Sequence, residues 1–210
     1  MSSNLDYLNR VYLRIDLDKI CNNIKEVINK VGKDTKVMAV VKADAYGHGA
    51  IEVSKALSEI GTYGFAVATV GEALALRRAG ITKPILILDF VFPNQFETII
   101  RNDIMLTIFR YEIAKELNEA AEQMGTTAHI HIKVDTGMGR IGFIPDDESI
   151  DEIRRISQLP NVEIDGIFTH FACADEADKT SMNRQFAKFK DFVLRLEEIG
   201  INIPIKHVCN

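Results

Sequence analysis

The chain has 210 residues, 47% of them hydrophobic, which is enough to bury one sizeable core, and one domain spanning 1–210 is the expectation. A formal net charge of −5 with both signs interspersed speaks against nucleic acid, whose binders carry a basic stripe; the pairs Arg77-Arg78 and Arg154-Arg155 read as solvated helix faces. Three widely spaced cysteines, Cys21, Cys173 and Cys209, argue against a disulfide framework or structural zinc and fit reduced thiols in the cytoplasm, while no stretch has the length of a signal peptide core or a membrane span.

The expected elements alternate along the chain. Asp16 is an N-cap for a first helix with Ile20, Ile24, Val27, Ile28 and Val31 on one face, closed by Gly32. Residues 37–41 are a continuous apolar run between Lys36 and Lys42, read as a strand buried on both faces. A helix carrying Val53, Ala56, Leu57 and Ile60 follows and ends at Gly61. Further strands are expected at 64–69, 85–88, 104–109, 129–134, 164–169 and 205–209, with helices between them. The last helix places Met182, Phe186, Phe189, Val193 and Leu196 at alternating spacings of four and three.

Such alternation predicts a parallel sheet wrapped by helices. A doubly wound open sheet and a (β/α)₈ barrel both fit, and the length and even spacing of the run favour the barrel. The expected fold is therefore α/β, a TIM-type (β/α)₈ barrel. A complete barrel takes about 250 residues, and this chain stops on its seventh strand. The eighth element then comes from the segment before residue 37, or the chain is cut short near strand 7. Ends seldom fall on the tip of a core strand, so a cut is the expectation.

Four segments could carry chemistry. In VMAVVKADAYGHG, Lys42 stands at the carboxyl end of a strand, where barrel active sites are built, and an amine among apolar side chains can condense with an aldehyde. Tyr46 is within reach of the same mouth, and Gly47 and Gly49 permit a tight turn. A snorkelling lysine before an ordinary turn is an equally good reading of that segment alone. In HIHIKVDTGMGRIGF, His129, His131 and Lys133 share one strand face and need partners or a ligand, and Arg140 ends a glycine-bearing loop where it could grip a carboxylate. A surface arginine after a glycine turn is the plainer alternative. In IDGIFTHFACADEAD, His170 follows the sixth strand, Cys173 has no neighbouring base, and Asp175, Glu176 and Asp178 read as the opening acids of the next helix. Asn210 ends the seventh strand. No metal site is expected, because His129 and His131 lack an evident third ligand, and no phosphate-loop, HExxH or GxSxG pattern occurs.

Together, AVVKADAYGHGA, KVDTGMGRIGF, THFACADE and KHVCN resemble the signatures of the alanine racemase family, in the right order and across essentially the whole chain. The resemblance implies pyridoxal 5'-phosphate as cofactor and interconversion of L- and D-alanine, supplying D-alanine for peptidoglycan. It implies that Lys42 joins the cofactor and acts as one of two bases, and that Tyr46 contacts the cofactor phosphate. Arg140 would meet the phenolic oxygen and the substrate carboxylate, and His170 would lie beside the pyridine ring. Asn210 would line the cofactor pocket, and Lys133 matches a lysine carbamylated in some members. It also implies a homodimer when full length, with the second base in a carboxyl-terminal β-domain of the partner subunit that is absent here, so the 210 residues alone are expected not to racemise alanine. A racemase of another amino acid such as serine, a pyridoxal-phosphate-binding barrel without turnover, and a binding barrel without cofactor are the alternatives.

Overall fold

In the computed structural model, which describes residues 11–209, helices and strands alternate as the apolar runs imply. The strands are β1 (Met38–Val40), β2 (Gly64–Val67), β3 (Ile85–Ile87), β4 (Met105–Ile108), β5 (Ala128–Val134), β6 (Val162–His170) and β7 (Ile205–Cys209). The helical segments are α1 (Leu17–Val31), α2 (Lys42–Gly47), α3 (Ala50–Glu59), α4 (Val70–Arg78), α5 (Phe96–Arg101), α6 (Tyr111–Gln123), α7 (Asp147–Ile156) and α8 (Thr180–Glu198). Asn210 lies outside the described residues.

Strand order decides between the two candidate architectures. The strands run β1-β2-β3-β4-β5-β6-β7, each parallel to the next. A doubly wound sheet reverses its order at a switch point, whereas a barrel advances one strand at a time. The sheet also curls. Met38, Leu86, Leu88, Met105 and Phe168, from four strands and one strand end, pack into a small inner cluster. The larger core lies outside the sheet, where Phe65, Ile85, Ile87, Ile130 and Ile132 meet helix residues such as Leu57, Leu117 and Phe192. Among the described residues, β1 and β7 each pair on one side only.

That edge position corrects one expectation. The run 37–41 is not buried on both faces, because Val40 is 42% exposed on the inner side of the sheet while Ala39 packs outward into the core. Strands β2, β3 and β4 do have both faces buried. The first helix forms as read, with Asp16 accepting from the Lys19 N–H at 3.2 Å, but it has no buried residue, and Val27 and Val31 stay exposed. In α8 the buried face is rotated from the expected stripe: Phe189, Phe192, Val193 and Leu196 are inside, Gln185 is inside, and Phe186 is exposed. Gln185 takes the inner place because its Oε1 accepts the Ala172 N–H at 3.1 Å.

The β5–β6 ladder shifts register between Ile130 and His131, and Asp165 is the extra residue of this bulge. Just beyond it, Gly166 faces His131, and a Cβ on Gly166 would lie 2.4 Å from the imidazole Nδ1. The glycine is what lets a ring occupy the inside of the sheet there.

Candidate functional site

Lys42, Lys133, Arg140 and His170 all lie at the carboxyl end of the strands, on three different elements. Lys42 follows β1: the Val41 N–H donates to the Ala66 carbonyl at 2.9 Å, and the chain then turns abruptly. Ala43, Asp44, Ala45 and Tyr46 all have left-handed backbone angles, with φ of 50°, 55°, 53° and 55°. The expected turn rested on Gly47 and Gly49, yet four non-glycine residues carry most of it. Each such residue costs roughly 1–2 kcal/mol relative to a right-handed one, so the turn must be held by its surroundings. Glu72 Oε1 accepts the Ala43 N–H at 2.7 Å, Asp44 Oδ1 accepts the Ala50 N–H at 2.7 Å, and the Gly49 N–H donates to the Asp44 carbonyl at 2.9 Å. The turn leaves Tyr46 61% exposed at the mouth.

Strand β5 carries Lys133 inward, where it is buried, donates from Nζ to the Val134 carbonyl at 3.0 Å and lies 5.2 Å over the Phe168 ring. Burial is the main reason its pKa falls to about 8; Asp135 opposes the shift and Arg140 adds to it. Beyond β5 the chain wraps around Asp135. Its Oδ1 accepts the N–H groups of Gly137, Met138 and Gly139 at 2.9, 2.9 and 3.1 Å, and its Oδ2 accepts that of Arg140 at 3.0 Å. Burial would raise the Asp135 pKa, but these four donors outweigh it and the net shift is downward. The carboxylate is therefore the hub of the loop that presents Arg140. The loop returns beside β5, where the Phe143 N–H donates to the Lys133 carbonyl at 2.8 Å. Gly142, at φ 141°, has no room for a side chain, since a Cβ would lie 2.4 Å from the Asp135 nitrogen.

Hydroxyls tie this loop to the next strand. Thr169 Oγ1 donates to the Val134 carbonyl at 2.9 Å, so Thr136 Oγ1, 2.8 Å away, is the donor in the Thr136–Thr169 bond. His170 follows directly. Its pKa is lowered first by burial and then by Arg140, Lys133 and Lys42, so all three cations act on this one imidazole. The structure thus brings Lys42, Lys133, Arg140 and His170 to one mouth.

Deeper inside the sheet, His131 Nδ1 and His207 Nε2 are 2.9 Å apart, and His207 stacks on Phe168 with centroids 4.6 Å apart and planes 10° from parallel. Burial, reinforced by the pairing, lowers His131 to about 3; burial and then Lys133 lower His207 to about 4. His129 and His131, alternate residues of one strand, do not converge on a common point. His129 instead meets Asp165 at 2.9 Å and Glu163 at 3.9 Å near the opposite end of the strands, with one potential ligand atom from each of the three within 4.8 Å of the others. Hydrogen bonding to Glu176 raises the Cys173 pKa, away from the thiolate a nucleophile needs. The acids expected to open the last helix lie before it: Lys179 is the N-cap of α8, and Asp178 accepts from the Thr180 N–H at 2.9 Å and from its hydroxyl at 2.6 Å.

Residues 15–210 match the family model described as alanine racemase, N-terminal domain. The chain belongs to the alanine racemase family. It is 50% identical over 200 residues to the alanine racemase of Methanococcus maripaludis, covering 95% of this chain and 54% of that protein. It is 50% identical over 204 residues to that of Clostridium tetani, covering 97% and 52% respectively. Among solved structures, the alanine racemase of Clostridium difficile 630 in complex with cycloserine superposes with a TM-score of 0.87 at 43% identity, over 91% of this chain and 52% of that one. The chain thus spans about half the length of the alanine racemases it matches.

Within this racemase-family chain, sequence reading missed three residues. Glu72 was signalled by Thr69-x-x-Glu72, a capping-box spacing before a helix, and both reciprocal bonds of the box form. Asp135 was signalled by an aspartate before a glycine-rich loop. His207 carried no local signal, because its partner His131 is 76 residues away.

Proposed function

We propose that this chain forms the cofactor-binding barrel of a pyridoxal-phosphate-dependent alanine racemase. One observation carries the reading: Lys42, Lys133 and Arg140 all bear on His170 at the strand ends, while Asp135 is held by four backbone N–H groups. A cluster of cations suits an anionic ligand, and a lysine within it suits an aldehyde. Pyridoxal phosphate is both, and the residues fit it. When bound, it supplies the electron sink that makes the substrate α-proton removable.

The chain's own groups then have distinct tasks. Lys42 holds the cofactor and exchanges the α-proton on one face. Arg140, presented by the Asp135 loop, binds the phenolic oxygen and the substrate carboxylate. His170, whose pKa is lowered by burial and then by its cationic neighbours, would lie beside the ring. Tyr46, exposed at the mouth, would contact the phosphate; the family resemblance assigns Asn210, outside the described residues, to the same cofactor. Lys133, at about 8, keeps a neutral fraction that can take up carbon dioxide, and the resulting carbamate would turn a repulsive neighbour of Arg140 into an attractive one. Inversion needs a second base on the opposite face. In this proposal a partner subunit of a homodimer supplies it, so the 210 residues alone should not turn over alanine. The product, D-alanine, would be made in the cytoplasm for the cell wall. No helix among the described residues is long and apolar enough to cross a membrane.

The test uses the full-length gene product. Borohydride reduction after loading with pyridoxal phosphate should fix the label on Lys42, and a chiral assay should show L- and D-alanine interconverting faster than the serine pair. Label on another peptide overturns the assignment of Lys42. Label on Lys42 without turnover of either amino acid leaves a carrier barrel in place of an enzyme. The mass of the Lys133 peptide, in native conditions and with labelled bicarbonate, decides the carbamate.

A further inference from the structure

Lys42 begins a strained turn just after β1, and the group that holds the turn comes from another helix. Glu72, in the first turn of α4, divides its carboxylate between two jobs. Its Oε2 accepts the Ala68 N–H at 2.8 Å and the Thr69 N–H at 3.1 Å, capping α4 at the tip of β2. Its Oε1 accepts the Ala43 N–H at 2.7 Å, reaching 29 residues back to the peptide group that follows Lys42. A capping box requires only the Thr69 bond. The bond to Ala43 is surplus to capping, and it falls on the first of four left-handed residues. The Ala43 conformation sets where the chain goes after Lys42. We propose that Glu72 is a positioning residue for Lys42, clamping the amide beside it so that the amine points into the barrel mouth.

The proposal rests on the reading of Lys42 as the cofactor lysine, but the clamp can be tested separately from that reading. Glutamine at position 72 has one carbonyl oxygen and would turn an NH₂ toward a backbone N–H, so it cannot keep both sets of bonds. Thr69→Ala removes the other half of the box and leaves both Glu72 oxygens in place. Ala43→Gly relieves the left-handed residue at an exposed position without touching Glu72.

The experiment uses the full-length gene product, with hydrogen exchange of the 42–47 segment as one readout and the rate of borohydride trapping of pyridoxal phosphate on Lys42 as the other. Loss of a charge-assisted bond should make exchange in 42–47 about tenfold faster in Glu72→Gln and trapping about tenfold slower. Thr69→Ala should loosen α4 but leave both readouts within about twofold of wild type, because a purely structural cap does not reach Lys42. Ala43→Gly in the Glu72→Gln background should recover part of the trapping rate. Unchanged exchange and trapping in a folded Glu72→Gln protein overturn the clamp. Should that variant fail to fold, the wild type decides alone: an Ala43 amide that exchanges as fast as an unprotected one refutes the bond. Absence of label on Lys42 in the wild type refutes the cofactor reading, and the exchange comparison still decides the clamp.

Discussion

The buried imidazole pair makes acid lability a quantitative expectation. His131 is fully buried and held down to about 3, and His207 to about 4, against an ordinary value of 6.5. Both folded values are lowered, so below 6.5 the unfolded chain takes up protons that the folded chain refuses, and stability falls as pH falls. The loss runs from 6.5 down to about 4 for His207 and about 3 for His131. Each group contributes at most about 1.4 kcal/mol per pH unit, and the pair together about 4 kcal/mol between pH 7 and pH 5. That is a large part of the 5–15 kcal/mol typical of a domain. His170, also lowered, adds in the same direction, whereas Asp165, raised first by burial, acts in the opposite one. The pair is therefore isolated by a difference. Urea midpoints followed by circular dichroism at several pH values should give a slope that drops by about 1.4 kcal/mol per pH unit in His131→Gln and by about twice that in the His131→Gln/His207→Gln double variant. In the wild type, the Cε1 proton resonances of both rings should not titrate above pH 5. Equal slopes in wild type and double variant between pH 6.5 and 5 would refute the reasoning, whatever the variants do to stability at neutral pH.

Three further outcomes follow from single contacts. Asp135→Asn leaves one carbonyl oxygen for four backbone donors and should cost about 2–4 kcal/mol, read by urea unfolding, with faster amide exchange in 137–140. Because the Asp135 pKa is lowered, its share of stability is complete above the ordinary value of 3.8 and disappears as pH falls through the folded value. Gly166→Ala drives a methyl into the His131 ring and should cost about 1–3 kcal/mol, with a shifted His131 imidazole resonance; an unchanged melting temperature refutes the contact. Phe192→Ala empties a fully buried site under α8 and should cost about 3–5 kcal/mol, measured by the same unfolding curves.

The sequence made the strands, and hence the barrel class, easy to read. Apolar runs such as Ile85–Ile87 are short, bounded and buried, and their positions need no knowledge of neighbours. What escaped the sequence depended on pairing between distant segments. The exposure of Val40 follows from β1 being an edge, which the run 37–41 does not record. The inward place of Gln185 in α8 follows from its bond to Ala172, a partner outside the helix period. The alternation of His129 and His131 called for partners without naming them, and the bulge at Asp165 and the position of β7 give each imidazole a different neighbour. Glycine at 47 and 49 pointed correctly to a turn after Lys42, yet no propensity predicts Ala43 to Tyr46 in the left-handed region, since that conformation is imposed by bonds from Glu72 and within the turn.

The basic groups of the mouth are anchored very unequally, and this shapes how the site can work. Lys133 and His170 belong to β5 and β6, whose ladder pairs seven residues, and hydroxyls lock their ends together through Thr136 and Thr169. Lys42 instead heads the turn that Glu72 and Asp44 hold through bonds to the Ala43 and Ala50 N–H groups. A rigid pair of strands can fix where an anion sits, because the position of Arg140 and His170 is set before any ligand arrives. The lysine proposed to hold a ligand covalently and to exchange a proton needs room to swing between those tasks, and it heads a turn held by single bonds from Glu72 and Asp44 instead of lying within a long ladder. On this argument, stiffening the 42–47 turn further would impair the amine, whereas loosening the Asp135 loop would impair recognition of the carboxylate. The two perturbations should separate kinetically in the full-length enzyme: substitutions in the 42–47 turn lower kcat, and Asp135→Asn raises KM for the amino acid. Equal effects on both constants from both perturbations would show that the mouth moves as one body, and the unequal anchoring would then have no functional meaning.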